Sequence, residues 1–322
     1  MSSLQQESLC QTLKELAQWT NRIIAKGYGS GLGILEETIT DFTLNEIAFR
    51  HPEYIYTKKF SRKQEGCESG ADWLWCIGSP GAWLSILVQA KIVNPKTKRC
   101  RFLDYGTTHG KQFAIFIKYA RTHNLLPLYC IYSLIEDTII PGAKALDSLS
   151  GLETSEWACS FIIPKYVKQL ATQNQKGQAD LLRYGIPWMF PFYEATNTTG
   201  EISAHGVAKS FHKVYDEFAK RDRNSKVTNR YKYSSTAITK SKKDLRTQWA
   251  SIDPRQVVTT NFPSLIIRLL KSQVKYDDAP VSEVSIISST PIDVVFSEQG
   301  ILPLPDEELP IFRGQKNRGR IF

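Results

Sequence analysis

Residues 82–93 read AWLSILVQAKIV, an apolar run of strand length that breaks into Gln-Ala-Lys near its end. Side chains two apart on a strand share a face. Ile86, Val88, Ala90 and Ile92 are uniformly apolar and have to face a core, which puts Gln89 and Lys91 together on the other side. The run ADWLWCI at 71–77 divides in the same way, with Trp73, Trp75 and Ile77 on one face and Asp72, Leu74 and Cys76 on the other. Only a Ser-Pro-Gly turn separates the two runs, so they are expected to be antiparallel neighbours. Asp72 then meets Gln89 and Lys91 across the sheet, and the tryptophans form the packed base that holds the carboxylate still.

The segments around this pair alternate in period. Leu4 to Ile24 carries Leu9, Leu13, Leu16, Ile23 and Ile24 near one face and predicts an amphipathic helix that stops at the glycine-rich KGYGSGLG. That piece lacks the Gly-Lys-Ser/Thr of a phosphate-cradling loop and reads as a connector. A second helix is expected from near Leu35 to His51-Pro52, then a strand over EYIYTKKF at 53–60, which with 71–77 and 82–93 makes an antiparallel meander. HGKQFAIFIKYARTHN returns to helical spacing, and LPLYCIYS after it is a short apolar strand of the buried kind. EWACSFIIPKYVKQLAT and GQADLLRYGIPWMFPFY read as helix or helix-plus-loop, NFPSLIIRLLKSQ as helix, and SEVSIISSTPIDVVFSEQG as late strands. The fold class is α/β.

A chain of 322 residues admits one large domain or two ordinary ones. Six cysteines stand apart with no CxxC pair, which argues against a zinc ribbon or a disulfide scaffold and for reduced, buried thiols. The polar, periodic N-terminus is unlike a secretory signal, and no apolar stretch approaches the ~18 residues that span a bilayer, so a cytoplasmic protein with no membrane partner is expected. The net charge of +9 is concentrated: residues 209–246 hold twelve Lys/Arg against four Asp/Glu. Such a segment attracts a polyanion by counterion release, and Tyr215, Tyr231 and Tyr233 among the charges can stack on bases; the plainer reading is a solvated helix face followed by a loop.

An Asp, a carboxamide and a Lys around one point suit phosphodiester hydrolysis. The carboxylate of Asp72 can hold a hard cation such as Mg²⁺, with the Gln89 amide oxygen and the Ala90 carbonyl completing part of its oxygen shell, while Lys91 orients or activates a water. A further acid from an early helix would fill out the shell; Glu37 is placed for it, with Glu36 and Asp41 as competitors. Glu65 and Glu68 precede Asp72 in a polar loop and read as solvated, and His109 as a residue at a helix start. Lys111 and Gln112 at that start can touch a phosphate.

The order of a helix Glu, an Asp at a strand start and Gln-x-Lys on the next strand resembles the PD-(D/E)xK restriction-endonuclease-like superfamily in its Mrr-like variant. The blocks EETITD, GADWLW, VQAK and PLYCIYS are more closely similar to a bacterial family of predicted nucleases, over roughly residues 33–133. The resemblance implies a restriction-endonuclease-like core with a central mixed sheet flanked by helices, which is expected to occupy residues 1–204; nothing is carried over beyond residue 200, and residues 205–322 are read from their own composition as an α-rich basic C-terminal region that either stands apart or packs back. It implies Asp72 as central metal ligand, Gln89 as second ligand, Lys91 as catalytic lysine, Glu37 as helix-borne acid, and Mg²⁺ or Mn²⁺ as cofactor. Nucleic acid, DNA before RNA, is the implied partner, with Lys111, Arg221, Arg223, Lys226, Arg230 and Lys232 as candidate contacts. Anti-phage defence and a homodimer that pairs two sites are further implications. Ala71 stands where the superfamily has proline, and neutral Gln89 leaves one negative charge fewer. Two other classes stay open: a non-catalytic nucleic-acid-binding or scaffolding protein on the same fold, and an assembly module with an aromatic binding surface.

Overall fold

A computed structural model describes residues 6–60, 68–100, 106–107, 110–136, 152–193, 195, 201–224, 252–271 and 278–301. Helices α1 (Gln6–Gly29) and α2 (Glu36–Arg50) lead into strands β1 (Ile55–Lys59), β2 (Trp73–Ser79) and β3 (Ala82–Ile92). A two-residue-per-strand hairpin, β4 (Gly106–Thr107) and β5 (Gly110–Lys111), precedes α3 (Gln112–Thr122) and β6 (Leu126–Tyr132). There follow β7 (Cys159–Ile162), α4 (Pro164–Thr172), α5 (Gln178–Leu182), β8 (Ile186–Pro187), α6 (Phe190–Tyr193) and α7 (Ala204–Asn224). Last come β9 (Val258–Thr259), α8 (Ser264–Leu270), β10 (Glu283–Ser288) and α9 (Ile292–Glu298).

The protein is α/β, with a mixed eight-stranded sheet in the order β1-β10-β2-β3-β6-β7-β8 and β9 paired to the start of β3. β2 and β3 form the expected antiparallel hairpin, with Trp73 opposite Val88 and Trp75 opposite Ile86. β6 lies parallel to β3, the pairing that a helical crossover through α3 permits.

The expected three-strand meander is not formed. β1 pairs with β10, and β10 lies parallel to β2 and between the two. EVSIIS is buried along its whole length, so an interior slot satisfies both its faces and both its edges. This strand comes from the region read as a C-terminal extension, and a boundary at 204/205 therefore cuts through one sheet. Three smaller expectations are also corrected, the first being IDVVFSE, read as strand and found as helix α9. β7 is a buried strand inside a segment read as helix-plus-loop, and α1 continues through Lys26 to Gly29 instead of ending at the glycines.

The two faces of the sheet carry different chemistry. On one, Trp75 packs its ring 5.7 Å from Phe161, 6.1 Å from Phe192 and 6.3 Å from Trp188. Trp188 donates its indole N–H to the Leu13 carbonyl at 2.7 Å, fastening α1 to this layer, and α7 adds Phe211 against Phe161. On the other face Tyr129, opposite Gln89 in the β3–β6 ladder, packs edge-on against Phe116 of α3. Among the described residues Cys10, Cys76, Cys100, Cys130 and Cys159 are buried thiols outside any disulfide, and no helix is long and apolar enough to cross a membrane.

Candidate functional site

Asp72 stands one residue before β2 and is held by its main chain from both sides. Its N–H donates to the Val88 carbonyl at 2.8 Å, and its own carbonyl accepts from the Ser282 N–H at 2.9 Å and the Ser282 hydroxyl at 2.6 Å. The approach to Asp72 turns at Gly70, whose φ is +65°, and a Cβ there would lie 2.9 Å from the Gln112 carbonyl. Only glycine fits both the left-handed backbone and the close passage of α3.

The side chains then converge. Asp72 Oδ2 accepts from Gln89 Nε2 and from the Ala90 N–H, each at 2.5 Å. The Ala90 carbonyl accepts from Gln89 Nε2 at 3.1 Å and from Lys91 Nζ at 2.6 Å, and Lys91 Nζ reaches Glu36 Oε1 at 3.4 Å. Gln89 is 1% exposed and Lys91 6%, so this ammonium and these amides act in a medium that water screens little. Burial drives the Glu36 carboxyl up to about 7; Lys91 draws it back, the charge of Asp72 pushes it further up, and the Ile92 N–H favours the ionised form. α2 is tied to the sheet nearby by the hydroxyls of Thr40 and Tyr132, 3.1 Å apart.

The structure thus brings Asp72, Gln89, Ala90 and Lys91 together as the strand parity required. The helix acid whose carboxylate reaches Lys91 is Glu36, the first residue of α2; Glu37, the acid expected there, is exposed. The helical phase carries the signal: Glu36 leads the buried series Ile39, Thr40, Thr43 and Ile47, spaced as one helix face, and Glu37 does not. Asp41 lies 3.9 Å from Lys59. Glu68 is exposed, and desolvation raises its carboxyl above the ordinary value. Gln112, read as a phosphate contact, is buried and donates its amide to Gln89 Oε1 at 2.6 Å. Lys111 is exposed just before α3. The Arg221 guanidinium lies over Tyr184 and Phe218, and it donates to the Arg183 carbonyl at 2.8 Å. Glu65, His109, Lys226, Arg230 and Lys232, and the side chain of Arg223, lie outside the described residues.

Among the described residues no group of three or more His, Cys, Asp or Glu is placed to ligate a metal. The oxygens present still suit Mg²⁺, which binds through one or two carboxylates and takes the rest of its shell from carbonyls, water and substrate phosphate. The Ala90 carbonyl and Glu36 already gather one cation, the Lys91 ammonium, and the negative charge of Asp72 is felt at Glu36. The donor set therefore fits a hard divalent ion.

Fold and site together define an α/β protein with a mixed sheet and an Asp-Gln-Lys-Glu cluster, its Gln and Lys buried and its two acids half-buried, where β2, β3 and α2 meet. The chain belongs to a family of unknown function, DUF6615, whose pattern matches residues 9–293. No curated protein and no solved structure matches it.

Proposed function

We propose that the protein is a metal-dependent nuclease that hydrolyses phosphodiester bonds of nucleic acid, DNA ahead of RNA. The observation that carries this reading is the convergence of Asp72, the Ala90 carbonyl, Lys91 and Glu36 on one point in a poorly screened setting. Mg²⁺ or Mn²⁺ bound there supplies charge neutralisation at the phosphate and a more acidic water. Asp72 and Glu36 would hold it, with the Ala90 carbonyl and the oxygen of Gln89 as the neutral donors. Lys91 can donate to a phosphate oxygen or orient the attacking water. Exposed Lys111 beside α3 and the basic stretch 209–246 supply the attraction for a polyanion. Buried thiols outside any disulfide accord with a reducing, cytoplasmic setting.

A second reading, a nucleic-acid-binding protein without catalysis, is favoured by one feature: the Gln89 NH₂, not an oxygen, faces Asp72 and occupies its carboxylate. One experiment separates the two. Wild-type protein, Asp72→Ala and Lys91→Ala are incubated with plasmid DNA and single-stranded RNA in Mg²⁺, Mn²⁺ or EDTA, and the substrates are followed on gels. Metal-dependent cleavage lost in both variants is the expected result. Salt-sensitive binding shared by all three proteins, with no cleavage by the wild type, would overturn the nuclease reading in favour of the second.

A further inference from the structure

We infer that Gln112 is a positioning residue that sets which end of the Gln89 carboxamide faces Asp72, and so governs entry of a divalent cation. The inference rests on the nuclease reading for the cation's role and on the hydrogen bonds for its mechanism. An ionised carboxylate only accepts hydrogen bonds, so the Gln89 atom 2.5 Å from Asp72 Oδ2 has to be the NH₂ nitrogen. That choice turns Gln89 Oε1 away from the site, where it accepts from Gln112 Nε2 at 2.6 Å. A cation requires an oxygen. Gln89 can serve it only after its amide makes a half turn, which presents Oε1 to the cation and Nε2 to Gln112.

Gln112 must then turn as well, so that its oxygen receives the Gln89 N–H. Gln112 is 5% exposed and Gln89 1%, so bulk water does not soften an oxygen facing an oxygen or an NH₂ facing an NH₂. Leaving such groups mismatched carries the full desolvation cost. The two amides therefore have two self-consistent arrangements, one with NH₂ toward Asp72 and one with oxygen toward the cation. Residue 112 cannot drift to relieve a mismatch, because it opens α3 and its carbonyl lies against Gly70.

The test is Mn²⁺ affinity by isothermal titration calorimetry on the full chain without nucleic acid, for wild type, Gln112→Glu, Gln89→Ala and the double variant. Glu at 112 accepts only, which presets the Gln89 oxygen toward the cation. Binding should tighten by about tenfold, the size of one buried hydrogen bond made instead of broken. The gain should shrink in the Gln89→Ala background to what the added charge alone supplies. An equal gain in both backgrounds would reduce the effect to added charge, and no gain with Gln89 present would remove the role; either overturns the inference. If Gln112→Glu does not fold, Gln112→Lys, a donor only, should weaken binding more with Gln89 present than in the Gln89→Ala background, where only its charge acts and there is no amide to orient. The same effect of the lysine in both backgrounds would overturn the inference. Mn²⁺ binding that depends on Asp72 and obeys this pattern, without cleavage of any substrate, would sink the nuclease reading and keep the inference. Absence of Asp72-dependent binding in the wild type would sink both.

Discussion

Replacing Glu36 by Gln should stabilise the protein, and only above acidic pH. The folded chain holds this carboxyl near 7 against 4.5 for the ordinary group, chiefly because burial penalises the charge more than Lys91 rewards it. The folded state therefore binds the proton more tightly than the unfolded state does. The sign follows: this group leaves stability highest below 4.5, lowers it as pH rises from 4.5 to 7, and lowers it no further above 7. At about 1.4 kcal/mol per pH unit the loss approaches about 3 kcal/mol. Gln keeps the shape of the neutral carboxyl and never ionises, so the variant should match wild type near pH 4.5 and exceed it by about 3 kcal/mol at pH 8.5. Urea unfolding of both proteins in EDTA at the two pH values measures the difference. A gap that does not change with pH, or a less stable variant at pH 8.5, would refute the reasoning and remove Glu36 from the buried charge cluster. The expected trade, stability given up to keep a carboxylate beside Asp72, is characteristic of functional sites.

Gly70→Ala forces a side chain into a left-handed backbone and against the Gln112 carbonyl, and should cost about 2–4 kcal/mol in urea unfolding. A loss below about 1 kcal/mol would mean that the turn before Asp72 relaxes freely. Lys14→Met removes the ammonium 2.7 Å from the fully buried Glu156, and stability at neutral pH should drop by about 3 kcal/mol, with a negligible change showing the pair to be dispensable.

Much of the site was legible because alternation on a strand is a local property. Apolar parity at Ile86, Val88 and Ala90 forces Gln89 and Lys91 to the opposite face, and a short turn brings Asp72 into register with them. The choice between Glu36 and Glu37 was also written locally, in the phase of Ile39, Thr40, Thr43 and Ile47, but both acids lie in the first turn, where the series that orients them lies on one side only. Gln112 carried no such signal, because its role exists only once α3 crosses Gly70.

The sequence alone determined the α/β class, the β2–β3 hairpin and the grouping of Asp72, Gln89 and Lys91, since each depends on side-chain period and a short connection. The tertiary structure decided the rest of the sheet. β10 enters between β1 and β2 from some two hundred residues downstream, follows directly on the Ser282 that clamps the main chain of Asp72, and makes residues 283–288 part of the central sheet. A strand in which Glu283, Ser285 and Ser288 are buried along with Val284, Ile286 and Ile287 does not state in its own sequence which slot will bury it. Which slot it fills is settled by the burial of the whole sheet, an energy that no local stretch of the chain contains.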